Sequence, residues 1–184
     1  AGDLHDSYLV DAGSVEPNVA AAATGVVASK GDSAQYEGFL DKYHNPTTPQ
    51  EERRYQSALS AFSGEAEMDR TLAMSLDGTV RTQDAPYLLA VCMRNKEQGY
   101  RAWEFVKSNW DKINKDFPSN SIVRMLSGVT SLSKPEQAAD VIAFFDDHEV
   151  PQGQLTLQQT LEKLRVNVAL RERESGSFSD SLTS

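Results

Sequence analysis

The chain has a single cysteine and only three histidines among its 184 residues. One cysteine cannot form an intramolecular disulfide, so nothing in the sequence indicates a disulfide-stabilised fold or an oxidising compartment. Cys92 lies in an apolar run, where we expect a buried core residue and not a reactive thiol. The histidines, His5, His44 and His148, lie in separate polar segments. They are too scattered to build a metal site together.

Recognisable catalytic motifs are also missing. The fragment "HEVPQ" (148–152) resembles part of a zinc-peptidase helix, but that motif needs a second histidine four residues after the first. Gln152 occupies that position, and Pro151 interrupts the helix. The sequence also has no nucleophile elbow, phosphate-binding glycine loop or dinucleotide fingerprint. We therefore predict no catalytic residue, no metal ligand and no cofactor in this chain.

Positive charge and long apolar runs are scarce. The net charge of −9 argues against nucleic acid and anionic membranes as partners, because their phosphates would be repelled. The longest run of small apolar residues, 19–28, is too short to span a bilayer. The chain begins "AGDLHDSYLV", without methionine, basic start or apolar segment, so we expect a processed or excised fragment with no signal peptide. We predict a cytoplasmic location.

Strand patterns are nearly absent, whereas helix patterns recur at short intervals. We therefore predict an all-α fold of roughly nine helices joined by short polar turns. The predicted helices cover about 17–29, 34–43, 49–62, 68–76, 85–94, 97–115, 120–132, 135–149 and 154–172. The strongest amphipathic face, in 97–115, repeats apolar residues at spacings of three and four; its members are Trp103, Val106, Trp110, Ile113 and Phe117.

Capping residues predict where several helices begin. Asp32 or Ser33 suits the N-cap of the second helix. Ser133 suits the N-cap of the helix that has Pro135 near its start. Thr48 precedes a proline and stands three residues before Glu51, which is a capping-box pattern.

A faint internal repeat is visible. Tyr36-Glu37 and Trp103-Glu104 are 67 residues apart, and Leu72 lies 33 residues after Phe39. A period near 33–34 residues with one helix pair per unit predicts an α-solenoid of antiparallel helix pairs, a HEAT/armadillo-like superhelix. We divide the chain into a poorly defined lead-in (1–14), a helical-repeat domain (15–173), for which a role as a cap domain is considered below, and a Ser-rich flexible tail (174–184).

The stretch "VRTQDAPYLLAVCMRN" (80–95) joins four polar residues to an apolar run. Asp84 fits an N-cap, with Pro86 in the first turn, where a missing N–H costs little. The run from Tyr87 to Met93 is apolar all round, which predicts a helix packed on several sides. Arg81, Thr82 and Gln83 then lie on a rim loop, where a functional role and turn-stabilising hydrogen bonds are both open.

Several long runs closely resemble one known domain. They are "TPQEERRYQSALSAF" (48–62), "RTLAMSLDGTVRTQDAPYLLAVCMRNKEQGYRAWEFVKSNWDKI" (70–113), "FFDDHEV" (144–150) and "QTLEKLRVNVALRER" (159–173). The domain is the C-terminal helical domain of the aminopeptidase N-type zinc metallopeptidases, which include the antigen-trimming aminopeptidases of the endoplasmic reticulum. The resemblance covers about 15–173.

The resemblance implies a multidomain parent enzyme whose zinc, H-E-x-x-H helix and Gly-x-Met-Glu-Asn loop lie in an upstream catalytic domain. The C-terminal domain is expected to resemble HEAT and armadillo repeats, to wall and gate an internal peptide chamber, and to catalyse nothing itself. In the antigen-trimming relatives, basic residues of this domain contact the peptide's C-terminal end, and Arg94 stands at one such position. The other positions compared are not basic here. Arg81, Gln83 and Arg94 are thus our candidates for chamber-facing residues.

Two other functions stay open. The chain could be a free-standing α-solenoid scaffold whose concave face binds a partner protein. The coding sequence upstream of Ala1 distinguishes the two, because an H-E-x-x-H motif there favours the enzyme and a start codon favours the scaffold. Self-association through the exposed apolar end of a first repeat is a third possibility.

Overall fold

The computed structural model describes residues 1–11, 13–150 and 153–182, with side chains up to residue 175. Over these residues it contains eleven α-helices, one 3₁₀ helix and no β-strand, which confirms the all-α prediction. None of the described helices is both long and apolar enough to cross a bilayer. The α-helices are α1 (Gly2–Val10), α2 (Pro17–Lys30), α3 (Ser33–His44), α4 (Pro49–Leu59), α5 (Glu65–Ala73), α6 (Ala85–Cys92), α7 (Gly99–Ser108), α8 (Trp110–Asp116), α9 (Ser119–Met125), α10 (Pro135–Asp147) and α11 (Gln154–Leu182).

The helices form two compact units. The first unit comprises Ala1–Met74 and Asn95–Gln98 and contains α1 to α5. The second unit comprises Ser75–Arg94 and Gly99–Ser184 and contains α6 to α11, together with the 3₁₀ helix Leu126–Ser131 between α9 and α10.

Aromatic side chains build the core of the first unit. Tyr36, Phe39, Tyr55 and Phe62 are buried, and their rings meet edge to face with centroids 5.1 to 5.5 Å apart. Such edge-to-face pairs are favoured by the ring quadrupoles and add to the free energy of apolar burial. The Tyr36 hydroxyl shares a 2.9 Å hydrogen bond with the Thr71 hydroxyl, so the polar end of this buried ring is also satisfied.

Two predicted helix starts in the first unit are confirmed. The Asp32 carboxylate accepts a hydrogen bond from the Gln35 amide, and the Gln35 side chain accepts one from the Asp32 amide, forming a capping box. The Thr48 hydroxyl accepts from the Glu51 amide at 3.1 Å. The Glu51 carboxylate bonds to Thr47 and not to Thr48, so the second half of that predicted capping box lies one residue earlier.

The predicted helix 97–115 is divided in the second unit. Helix α7 ends at Ser108 and α8 begins at Trp110, because Asn109 leaves the helical conformation (φ −114°, ψ 18°) and its side-chain amide donates to the Phe105 carbonyl at 2.9 Å. This bond competes with the helical backbone pattern. The predicted apolar face nevertheless survives the break, since Trp103, Val106, Trp110, Ile113 and Phe117 are all buried.

Other boundaries also differ from the prediction. Helix α10 begins at Pro135 with Lys134 at its N-cap, and no side chain caps it, so the predicted Ser133 cap is wrong. Helix α11 continues beyond the predicted end near Glu172 to Leu182. Residues of the expected lead-in form α1, which packs on α2. The predicted division into lead-in, cap domain and tail stays a prediction.

The long-range hydrogen bonds within each unit have several different separations. Some join residues 35, 37 or 40 positions apart, and four join residues 33 positions apart. They are Glu37–Arg70 and Phe62–Asn95 in the first unit and Arg94–Ser127 and Lys107–Asp140 in the second. The continuous solenoid itself stays a prediction.

Candidate functional site

Helix α6 begins one residue after Asp84, as predicted, but the Asp84 side chain does not cap it. Residues 81–84 already form a turn in which the amides of Asp84 and Ala85 donate to the Arg81 carbonyl. The Asp84 carboxylate instead accepts a hydrogen bond from Arg81 Nε at 2.9 Å. The predicted side-chain cap is therefore wrong, because the turn uses the first backbone donors and the guanidinium holds the carboxylate.

One edge of α6 remains open. The helix buries Leu88, Leu89, Ala90, Cys92 and the following Met93, as expected for an apolar inner helix. Tyr87, however, is 44 % exposed, and the positions four and seven residues further along the same edge, Val91 and Arg94, are also accessible. The prediction that α6 packs on several sides holds, but the apolar run is not buried all round.

This open edge forms one wall of a groove in the second unit. The groove has a volume of about 400 Å³ and is bounded by α6, by α9 with the following 3₁₀ helix, and by the first turns of α11. We call it the α6 groove. Its lining residues are Tyr87, Ala90, Val91, Arg94, Val123, Arg124, Ser127, Thr156 and Thr160.

Two guanidinium groups give the α6 groove a positive charge. Arg94 Nη2 donates to the Ser127 hydroxyl at 2.9 Å, and Arg124 Nη1 donates to the Tyr87 hydroxyl at 3.2 Å. Within the part of the chain that the structure describes, neither arginine forms an ion pair, and no acidic side chain lines the groove. In a protein of net charge −9, the groove thus places two positive side chains beside an apolar surface.

Two glycines enclose the turn that carries Arg94. A Cβ atom on Gly128 would lie 2.6 Å from the Ala90 carbonyl oxygen, and one on Gly99 would lie 2.5 Å from the Met93 carbonyl oxygen. Both distances are far below van der Waals contact, so only glycine allows the 3₁₀ helix and α7 to approach α6 this closely. This close packing positions the end of α6 from which Arg94 projects.

The other two predicted site residues do not line the α6 groove. Arg81 and Gln83 are exposed and precede the opposite end of α6. Their neighbour Thr82 lines a different pocket of about 490 Å³, formed by the loop from Ser75 to Thr82 and by α8. The structure thus brings Arg94 together with a second arginine and leaves Arg81 beside Asp84.

Sequence reasoning missed Arg124. It lies in the short apolar segment "SIVRML" (121–126), where a lone basic residue between buried neighbours is the signal that could have found it. Its relation to Arg94 depends on the packing of α9 against α6, which no local pattern reveals.

The other potentially reactive side chains, Cys92 and His148, lie in surroundings that are typical of structural residues. Burial raises the pKa of the Cys92 thiol to about 12, as expected for a core residue with little thiolate character. His148 stacks on the Phe144 ring at 3.8 Å, and its Nδ1 lies 2.7 Å from the Phe144 carbonyl oxygen. Among the described residues, no group of three or more His, Cys, Asp and Glu side chains could hold a metal ion.

Comparisons with known proteins identify relatives along most of the chain. Residues 1–166 match the family model described as the ERAP1-like C-terminal domain. Aminopeptidase M1 from Arabidopsis thaliana is 29 % identical over 88 % of this chain. Alanine/arginine aminopeptidase from Saccharomyces cerevisiae is 32 % identical over 76 %, and endoplasmic reticulum aminopeptidase 2 from Bos taurus is 28 % identical over 94 %.

The matched part is a small fraction of each relative. It spans 19 % of the Arabidopsis and bovine proteins and 17 % of the yeast protein. The family match includes α1, which lies in the segment that the sequence analysis placed outside the helical domain. The chain belongs to the ERAP1-like C-terminal domain family, whose relatives here are aminopeptidases.

Proposed function

We propose that the chain is the C-terminal cap domain of a larger zinc aminopeptidase that removes N-terminal residues from peptides. The family match and the aminopeptidase relatives, of which the chain spans less than a fifth, support this proposal. In such an enzyme a zinc-activated water attacks the first peptide bond. We assign the zinc to an upstream catalytic domain of the parent. The cap domain walls and gates the peptide chamber and performs none of the chemistry.

The observation that carries a substrate-binding role is the pair of guanidiniums in the α6 groove. A peptide's C-terminal carboxylate would accept charge-assisted hydrogen bonds from Arg94 and Arg124, which are stronger than bonds between neutral groups. Ala90, Val91 and Val123 offer the adjoining side chain an apolar surface. Ser127 and Tyr87, which now accept from the two arginines, are weaker acceptors that a carboxylate can replace.

We further propose that Arg81 and Gln83 face the same chamber from the opposite end of α6. The Asp84 carboxylate compensates the charge of Arg81, because Asp84 Oδ2 lies 2.9 Å from Arg81 Nε. It is therefore expected to contribute less to the binding of a free carboxylate than Arg94 does.

Calorimetric titration of the purified chain with a nonapeptide ending in leucine tests the proposed groove. The peptide with a free carboxylate is expected to bind at least about tenfold more tightly than its C-terminal amide, because one charged partner is lost. Arg94→Gln should reduce the affinity for the free peptide to that of the amide. Arg171→Gln is the matched control, since Arg171 also donates to a serine hydroxyl, that of Ser133, at an exposed site. Equal affinity for both peptides in the wild type would refute the carboxylate site.

The assignment of catalysis to the rest of the parent has a separate test. The purified chain, supplied with Zn²⁺ and an aminoacyl anilide, is expected to release no aniline above the rate of buffer alone. Hydrolysis that copurifies with the chain through two further chromatography steps and disappears with a chelator would show that the chain is an enzyme by itself.

A further inference from the structure

Helix α1 is attached to the first unit by very few side chains. Of its nine residues, only His5 and Tyr8 are buried, and the remaining seven are exposed. Tyr8 packs with Val15 and Ala20 in a small cluster at the start of α2. An isolated helix of this length is not stable in water, so α1 depends on these two anchors for its structure. One of them is an ionisable group.

The hydrogen bonds around His5 fix the position of one imidazole proton. The Thr24 hydroxyl donates its only proton to the Ala20 carbonyl at 2.7 Å. Thr24 Oγ1 can therefore only accept in its 3.2 Å contact with His5 Nδ1, which places the imidazole proton on Nδ1. Nε2 then carries a lone pair, and the described residues give it no hydrogen-bond partner.

The groups around His5 act on an imidazolium in opposite directions. Its ring lies against Phe39 of α3, with centroids 5.3 Å apart, and α2 presents the uncharged Thr24. Arg54 of α4 repels an imidazolium, whereas Asp6 of α1 itself attracts one. Burial outweighs the Asp6 charge, and the pKa of His5 is lowered from its ordinary value. A second proton on Nε2 would place a positive charge on a ring that is only 5 % exposed.

We infer that α1 is an acid-released strap: protonation of His5 detaches α1 from α2 and exposes the apolar surface around Val15 and Ala20. This strap follows from the burial of His5 and from the small number of buried side chains in α1, and it is independent of the proposed aminopeptidase function.

The sign of the effect follows from the lower pKa of His5 in the docked state. Above the ordinary imidazole pKa of about 6.5, His5 is neutral whether α1 is docked or released, and docking is strongest. As the pH falls below about 6.5, the released state binds a proton more readily, so docking weakens. The equilibrium constant for release can rise by at most about tenfold per pH unit until the docked-state pKa is reached.

Hydrogen exchange of the full chain, corrected for the intrinsic pH dependence of exchange, measures the release. Protection of the α1 amides is expected to fall between pH 7.5 and pH 5.0, while protection of α4 stays constant. The midpoint should coincide with the titration of the His5 ring followed by nuclear magnetic resonance. Wild-type α1 protection that does not change with pH, or a midpoint that differs from the His5 titration, would overturn the inference.

Two variants separate His5 from other acid effects. His5→Gln cannot titrate, so the protection of its α1 amides is expected to be independent of pH. His44→Gln, at an exposed position of α3, is the control and should behave as the wild type. An acid-induced loss of α1 protection that persists in His5→Gln would refute the role of His5. If His5→Gln releases α1 at every pH, the wild type still tests the inference, because the midpoint of α1 release must equal that of the His5 titration.

Discussion

An arginine lies just outside each end of α6, and the two arginines have different partners. At the first end, Arg81 pairs with the Asp84 carboxylate, its neighbour in the same turn. At the other end, Arg94 donates to the hydroxyl of Ser127, which is 33 residues away. A neutral partner leaves the guanidinium charge uncompensated, whereas a carboxylate cancels it. The arginine with the tertiary contact is therefore the one that no carboxylate among the described residues neutralises.

The backbone around the two ends differs as well. Gly99 and Gly128 enclose the C-terminal turn at distances that leave no room for a methyl group. The loop before α6 contains Gly78, which has a positive φ of 92°, and a Cβ added there would meet no atom within 4 Å. Glycine is thus required for close packing at one end and for local chain geometry at the other.

The largest effect is expected from Gly128→Ala, which disrupts the close packing of the 3₁₀ helix against the C-terminal turn of α6. The added methyl group meets the Ala90 carbonyl oxygen and Met93, so we expect a loss of about 3 kcal/mol in the free energy of unfolding. Gly78→Ala should cost only about 1 kcal/mol, because it strains one φ angle and contacts nothing. Urea denaturation of both variants checks the difference. Equal losses would mean that the close approach of the 3₁₀ helix to α6 does not matter for stability.

An intermediate effect is expected on peptide affinity when the arginines are exchanged one at a time. Arg94→Gln and Arg124→Gln should each weaken the binding of a peptide with a free C-terminus by about tenfold, which corresponds to roughly 1.4 kcal/mol. Arg81→Gln should change the affinity by less than about twofold, because Arg81 lies outside the groove and its charge is already compensated.

The double variant Arg94→Gln/Arg124→Gln sharpens this comparison. If both guanidiniums bind one carboxylate, the double loss should be smaller than the sum of the single losses. Full additivity of the two losses, measured by the same titration calorimetry, would place the two arginines on separate ligands.

Local signals in the sequence were sufficient where neighbouring residues decide the structure. The Thr48 cap follows from a hydroxyl three residues before its donor, and the stripe that contains Trp103 and Trp110 follows from helical spacing. The break at Asn109 has no such signal, because asparagine is tolerated within helices and its side chain here bonds to the Phe105 carbonyl.

The candidate site was only half predictable for a related reason. Arg94 was identified because it stands at a position where the antigen-trimming relatives have a basic residue. Arg124 joins it only because α9 packs against α6, and such packing leaves no trace in either segment alone. The position of Asp84 at the helix start was predicted correctly, and turn-stabilising hydrogen bonds by Arg81 were left open, but the pairing of these two side chains was not predicted.

The smallest effect is expected from Asp84→Ala, and its smallness is informative. If Asp84 capped α6, its removal would cost about 1 kcal/mol, as we expect for Thr48→Ala at the start of α4. Because the carboxylate instead forms an exposed ion pair with Arg81, the loss should be below about 0.5 kcal/mol. Urea denaturation of the two variants side by side distinguishes these cases. A loss equal to that of Thr48→Ala would show that Asp84 caps α6 in solution and that Arg81 is less compensated than its contact with Asp84 indicates.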